Sequence, residues 1–331
     1  MTEKIARFFG LSEEFSDPEA AAAAILPVPY DATSTWKKGA DRGPAAILAA
    51  SAQVELYDIE TGTEPYHAGI ATLPEIRFDG PPEALADEVA ARTGEVLDRG
   101  QLPVLLGGEH SVSIGAMRAA AERHPGLSFL QVDAHGDTRE SYEGSTHNHA
   151  CVMARARELG PIVQVGIRAI DAAEAETMDR ERVFFAHEIR DRAQAARSDA
   201  SIDRAGAARS DASIDRAGAA RSDAWIDRAQ AARSDAWIDR AVALLAPEVY
   251  VTIDLDAFDP SLVPATGTPE PGGLGWYQVM DLLAAVTAAR RIVAFDVVEL
   301  LPQPGQHASD FLAAKLVYRL LAMIWSARPP R

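Results

Sequence analysis

SFLQVDAHGD, residues 128–137, runs from a mostly apolar stretch straight into two carboxylates and an imidazole. A short apolar run that stops at a polar cluster reads as a buried strand whose carboxyl end carries functional groups. The same grammar recurs outward along the chain. LPVLL (102–106) runs into Gly107-Gly108-Glu109-His110-Ser111, EVYVTI (248–253) into Asp254-Leu255-Asp256, and IVAFDVV (292–298) into Glu299. Ile162 to Ile167 and Val183 to Phe185 are further strand candidates, and the apolar run Ala20 to Val28 reads as a helix end feeding a first strand. Between or after them, Pro82 to Asp98, Ser113 to Arg123, Trp276 to Arg290 and Asp310 to Trp325 carry helical periodicity. Near-continuous apolar strands alternating with helices predict a mostly parallel sheet covered on both faces. The expectation is therefore one three-layer α/β/α domain over residues 1–331.

Composition agrees. The chain has 331 residues, 47% hydrophobic and 24% charged, enough to bury a sizeable core. Its net charge of −17 argues against nucleic acid and anionic membranes as partners and fits a cationic small substrate. A single cysteine, Cys151, excludes a disulfide framework and a cysteine-built zinc site. No stretch approaches a membrane span, and Met1 to Pro18 lacks a signal-peptide core, so a cytoplasmic location is expected.

One segment departs from the alternation. Residues 194–241 are four near-identical 12-residue units, QAARSDASIDRA, GAARSDASIDRA, GAARSDAWIDRA and QAARSDAWIDRA. Each carries two Arg and two Asp and a helix-favouring composition, and none carries His, Cys or Lys. If one copy is the helix before the strand at Glu248, three are surplus. As continuous helix they would span about 54 Å and carry that strand away from its sheet. A tandem duplication inserted within the domain is the preferred reading, with an interaction arm as the functional alternative.

The polar clusters carry the chemistry. In an open parallel sheet, ligands bind outside the carboxyl ends of the strands. Alone, an Asp after a strand is a turn or cap residue and His110 a satisfied buried histidine. Together, His110, His135, Asp133, Asp137, Asp254 and Asp256 concentrate negative charge that burial makes costly without cations. On extended backbone, alternate residues of DAHGD and DLD share one side. Two imidazoles and four carboxylates suit two bridged ions, and oxygen-rich sets with some imidazole favour Mn²⁺, with Zn²⁺, Ni²⁺ or Fe²⁺ open. Such a pair makes bound water acidic and points to hydrolysis. His149, with His147 beside it, is the proton-shuttle candidate, and Glu299 the carboxylate for a cationic substrate.

GGEHS (107–111), DAHGD (133–137), TIDLDAFDPSLVPATGTPEPGG (252–273) and DVVELLP (296–302), with PVPYDATSTWKKGADRGPAAI (27–47), resemble the ureohydrolase family of arginases and agmatinases. The resemblance implies two Mn²⁺ ions per chain, one held by His110, Asp133, Asp137 and Asp254, the other by His135, Asp133, Asp254 and Asp256. It further implies that a bridging hydroxide, oriented by Asp137, attacks a guanidino carbon. Glu299 would bind the guanidinium, and His149 would pass a proton to the leaving amine. A homo-oligomer, trimer or hexamer, is also implied.

Two positions bear on the substrate. Arg139 stands where arginases usually have Asn, and GTPEPGG with Glu270 looks like agmatinases. Agmatine, cleaved to putrescine and urea, is the expected substrate, which would place the chain in polyamine biosynthesis. Arg139 would instead suit a guanidino acid such as guanidinobutyrate or guanidinopropionate if it reaches the substrate; otherwise it pairs with an acid such as Glu143. Glu109, where the family more often has Asp, adjoins a ligand. Formiminoglutamate hydrolysis, a one-zinc deacetylase-like amidohydrolase and a metal-stabilised scaffold are the remaining alternatives.

Overall fold

The computed structural model describes residues 6–189 and 236–328. Eight strands form one all-parallel sheet: β1 (Ala23–Val28), β2 (Ile70–Thr72), β3 (Leu102–Gly107), β4 (Ser128–Val132), β5 (Ile162–Ile167), β6 (Val183–Phe185), β7 (Glu248–Asp254) and β8 (Arg291–Val298). Their order is β2-β1-β3-β8-β7-β4-β5-β6. Consecutive strands β3 and β4 are thus separated by β8 and β7. A crevice opens at such a reversal, above the carboxyl edge of the sheet.

Helices cover both faces. They are α1 (Glu13–Ser16), α2 (Gly43–Ser51), α3 (Pro82–Asp98), α4 (Ser113–Arg123), α5 (Val152–Leu159), α6 (Ala172–Thr177), α7 (Ala236–Ala243), α8 (Trp276–Ala289) and α9 (Ala308–Ala327). The period-two alternation of a strand sorts its side chains into two separate cores. Ile25, Val104, Leu106, Leu130 and Val132 join one core with α2, α7, α8 and α9. Ala24, Leu26, Leu105 and Phe129 join the other with α3, α4 and α5. The expected three-layer α/β/α architecture is present. Among the described residues, no helix is long and apolar enough to cross a membrane.

The first strand differs from its expectation. Ala20 to Val28 holds no helix end: α1 stops at Ser16, Pro18 to Ala20 form a turn, and β1 starts at Ala23. Ala20 to Ala24 are five consecutive alanines, whose helix propensity is overridden by pairing with both β2 and β3. Most of the repeat segment, 194–235, lies outside the described residues. The end of its fourth copy does not: Ala236–Ala243 is α7, with Trp237, Ile238 and Ala241 buried and the Trp237 ring 6.3 Å from Phe184. α7 then leads directly into β7.

Candidate metal centre and active site

The four central strands, β3, β8, β7 and β4, deliver the polar clusters to one place. β3 ends in the glycine pair, and a Cβ on Gly108 would lie 1.9 Å from the Tyr30 carbonyl oxygen, so only glycine allows the chain to turn there. The turn leads into a 3₁₀ segment, His110–Val112, capped by Glu109, and sets His110 over the sheet edge. Beyond β4, the backbone bends at Ala134, where the His135 amide donates to Asp133 Oδ1 at 2.6 Å, bridges to Ala169 at His135, and turns again at Asp137 with φ 52°. The expected alternation in DLD does not hold. β7 ends at Asp254, and Leu255–Ala257 is a 3₁₀ turn because the Asp254 carboxylate accepts from the Asp256 amide at 2.8 Å. Both carboxylates still face the crevice, delivered by an Asp-capped turn and not by the pleat.

His110 Nδ1 lies 3.0 Å from Asp137 Oδ2, 3.2 Å from Asp133 Oδ2 and 3.6 Å from Asp254 Oδ2. His135 Nδ1 lies 2.9 Å from Asp256 Oδ2 and 3.7 Å from Asp133 Oδ1. Two groups therefore form, His110–Asp133–Asp137 and Asp133–His135–Asp256, each with ligand atoms within 4.8 Å of one another. Asp133 belongs to both and offers a different oxygen to each. Asp254 stands against the first through its Oδ2.

This donor set suits divalent cations. His110 Nδ1 is fully buried and has no hydrogen-bond partner, although three carboxylate oxygens surround it. The rest of the ring is committed, since Nε2 meets the Thr252 hydroxyl at 2.8 Å. Charge crowding shows in the ionisation of the cage. Burial, then the charges of Asp137 and Asp256, push the Asp133 carboxyl up to about 7. Burial and the same kind of repulsion from Asp256 and Asp133 hold Asp254 well above the carboxylate range. Burial works against the charged form of His135, but Asp256 and Asp133 outweigh it and raise that imidazole to about 10. Asp256 is the converse: burial would raise it, yet His135 and the Ala134 amide bring it to about 2. A cage that raises His110, His135, Asp133 and Asp254 is asking for positive charge, which metal ions provide.

A cavity of about 290 Å³ opens onto the cage, lined by His149, Arg139, Tyr142, Asp171, Glu270 and Glu299 among others. A larger groove of about 1150 Å³ lies at the opposite, amino edge beside Leu102 and Arg291 and contains none of these groups. Glu299 follows β8 in the left-handed region at φ 64°, a strained conformation for a side chain of its size. Its Oε1 accepts from the His110 amide at 2.8 Å. Burial, then the neighbouring Glu109, push its pKa well above the usual range. The His149 backbone amide donates to Thr33 Oγ1 at 3.0 Å, and its Nδ1 lies 3.1 Å from the same hydroxyl. Glu109 is fully buried and accepts from the Thr33 amide and from Ser111, so it ties the His149 support to the turn that carries His110. His147 is not on the cavity; its Nδ1 meets Thr146 at 2.9 Å.

Arg139 is engaged, and not by Glu143. Its Nε lies 3.2 Å from Asp171 and 3.6 Å from Glu174, and its guanidinium stacks 4.5 Å over Tyr142. Sequence reading missed Asp171 and Glu174, whose capping box at the start of α6 is a common helix signal. It also missed Arg168, which donates to the Asp256 carbonyl at 2.6 Å and the Glu270 carbonyl at 2.8 Å. Arg168 thereby clamps the DLD turn to the loop carrying Glu270. No spacing rule marks a single Arg after a strand.

An all-parallel α/β sheet with a carboxylate–imidazole cage at its central carboxyl edge defines the class of site. The chain belongs to the arginase family, whose sequence model matches residues 21–215 and 212–323, two segments that meet inside the repeats. It is 35% identical to the N(1)-aminopropylagmatine ureohydrolase of Synechocystis sp. over 320 residues, 94% of this chain and 91% of that one. It is 30% identical to the agmatinase of Pyrococcus horikoshii over 323 residues, 96% and 97% of the two chains. The agmatine ureohydrolase structure of Thermoplasma volcanium superposes with a TM-score of 0.76 at 27% identity, covering 98% and 96%.

Proposed function

We propose that this chain is a manganese-dependent ureohydrolase that cleaves a guanidino substrate with a cationic tail, agmatine, to putrescine and urea. The observation that carries this reading is Glu299, a desolvated carboxylate open to the cavity above the cage, with no Lys or Arg among its ion pairs in the described residues. A guanidinium supplies the missing partner. Arg139 supports a cationic tail over a carboxylate tail: two acids already hold its charge, and Glu270 adds another carboxylate to the wall.

When bound, two Mn²⁺ ions in the cage of His110, Asp133, His135, Asp137, Asp254 and Asp256 supply Lewis-acid activation of water and positive charge against the reacting carbon. Glu299 binds and orients the guanidinium, so that its carbon faces the cage. Asp137, turned inward by its left-handed backbone, orients the attacking water. The C–N bond to the alkyl nitrogen then breaks as His149, held through Thr33, delivers a proton to the leaving amine. Urea and the free amine result.

A second reading has its own support. The relatives from Synechocystis sp. and Thermus thermophilus, 35% and 36% identical, are named for N(1)-aminopropylagmatine, whose longer tail carries an additional amine. Urea release measured with Mn²⁺ across agmatine, N(1)-aminopropylagmatine, arginine and guanidinobutyrate tests both. The highest kcat/KM is expected for one of the first two. Arginine or guanidinobutyrate as best substrate would contradict the roles of Arg139 and Glu270, and formamide release from added formiminoglutamate that outpaces urea release from all four would contradict the reaction.

A further inference from the structure

We infer that Thr252 and Asp296 are positioning residues that fix which ring nitrogen of His110 carries its proton, and so decide whether the cage can take the ion beside it. This rests on the proposed metal role of His110. The chain of contacts begins deep in the sheet. Asp296, in β8, is fully buried and lies opposite Thr252 of β7. Its Oδ1 accepts from the Thr252 hydroxyl at 2.6 Å, and its Oδ2 accepts from the Tyr250 hydroxyl at 2.6 Å. Thr252 Oγ1 in turn meets His110 Nε2 at 2.8 Å.

A hydroxyl has one proton. Thr252 gives it to the Asp296 carboxylate, so toward His110 it only accepts. Nε2 must then carry hydrogen whether or not Nδ1 does, so an ion that displaces the proton from Nδ1 meets its lone pair beside Asp133, Asp137 and Asp254. Buried Nδ1, with three carboxylate oxygens at 3.0, 3.2 and 3.6 Å, is a place for a proton in the free cage and for a cation in the loaded one. Orientation of a metal-bound histidine through its other nitrogen is worth about 10- to 100-fold in metal affinity.

Tyr250 makes the arrangement directional. Among the described residues its buried hydroxyl has Asp296 as its hydrogen-bond acceptor. In an Asp296→Asn variant, the amide oxygen must face Tyr250 to keep that bond, which turns the NH₂ group toward Thr252. Thr252 would then accept from the amide and donate to Nε2. His110 would then hold its one proton on Nδ1, where the N–H hydrogen-bonds Asp133 and Asp137, and an ion could not take that place while Nε2 accepts from Thr252.

The test is Mn²⁺ titration of chelated protein by calorimetry, with ¹⁵N NMR of the His110 ring in the metal-free state. Wild type is expected to bind two ions. Asp296→Asn should fold, show Nε2 unprotonated where wild type has it protonated, and bind one of the two ions about 10- to 100-fold more weakly. Thr252→Val removes the relay without enforcing the wrong tautomer, so the double variant should bind no worse than Thr252→Val alone. Thr252→Ser should match wild type. Normal binding by Asp296→Asn, or losses that simply add in the double variant, would overturn the relay. Should Asp296→Asn fail to fold, the Val and Ser variants at 252 decide: equal affinity overturns it, and loss in Val with retention in Ser supports it. A wild-type chain that binds no ion would instead refute the metal reading on which the relay stands.

Discussion

Replacing Glu299 with Gln removes a charge and little else. Gln retains an oxygen for the His110 amide, which now sits 2.8 Å from Oε1, and it keeps the size of the side chain in the strained φ 64° position. Metal content and folding should therefore match wild type. The substrate guanidinium, by contrast, loses its carboxylate inside a desolvated cavity. Truncating one partner of a buried charge pair costs about 2–5 kcal/mol. At 1.36 kcal/mol per decade this is about 30- to 5000-fold in kcat/KM. The assay is steady-state urea release on the best substrate, with Mn²⁺ content measured on the same samples. A Glu299→Gln enzyme with full metal and kcat/KM within threefold of wild type would refute the role of Glu299 and remove the main support for a guanidinium substrate. A variant that also loses metal would show that the carboxylate serves the cage instead.

Four more outcomes follow from the same structure. His149→Gln should keep both ions yet lower kcat by roughly a hundredfold to ten-thousandfold, the range for a lost general acid; undiminished kcat would remove His149 from proton transfer. In chelated protein, Asp133 is raised to about 7 and His135 to about 10, so each stabilises the fold at low pH. That stability is lost as pH rises, from about 4 to 7 for Asp133 and from about 6.5 to 10 for His135. The gain in Tm on adding Mn²⁺ should accordingly be larger at pH 8 than at pH 5 by differential scanning fluorimetry, and a gain that shrinks with pH would contradict the crowding of the cage. Trp237→Ala, at a site only 3% exposed, should cost about 3–5 kcal/mol in urea unfolding. Deleting residues 194–229, which leaves the one repeat copy that runs into α7, should preserve Tm and urea release; a loss of either would give the extra copies a role in the domain.

Much of this centre is readable from strand ends. Apolar runs that stop at Gly-Gly-Glu-His, Asp-Ala-His-Gly-Asp and Asp-Leu-Asp identify buried strands, and the parallel-sheet rule brings their ends together without any pairing information. What the pattern could not give is the backbone route beyond each strand. Asp137 and Glu299 reach the site through positive φ, and Asp256 through an Asp-capped 3₁₀ turn, because local hydrogen bonds override extension there. β2, three residues long, is too short for a periodic signal, and its place is fixed by pairing with β1. Arg168, Asp171 and Glu174 were invisible for a related reason. Their residue types are common in turns and caps, and only the folded chain shows what they touch. The fate of Arg139 likewise depended on Asp171 and Glu174, more than 30 positions away in sequence.

The central claim is that the carboxyl edge of this sheet holds two divalent ions with Asp133 between them. Anomalous diffraction at the manganese absorption edge, on crystals grown with excess Mn²⁺, tests it most directly. Two peaks are predicted, one beside His110 Nδ1 and the other beside His135 Nδ1, both in contact with Asp133. A single peak, or none, at saturating manganese would contradict the account.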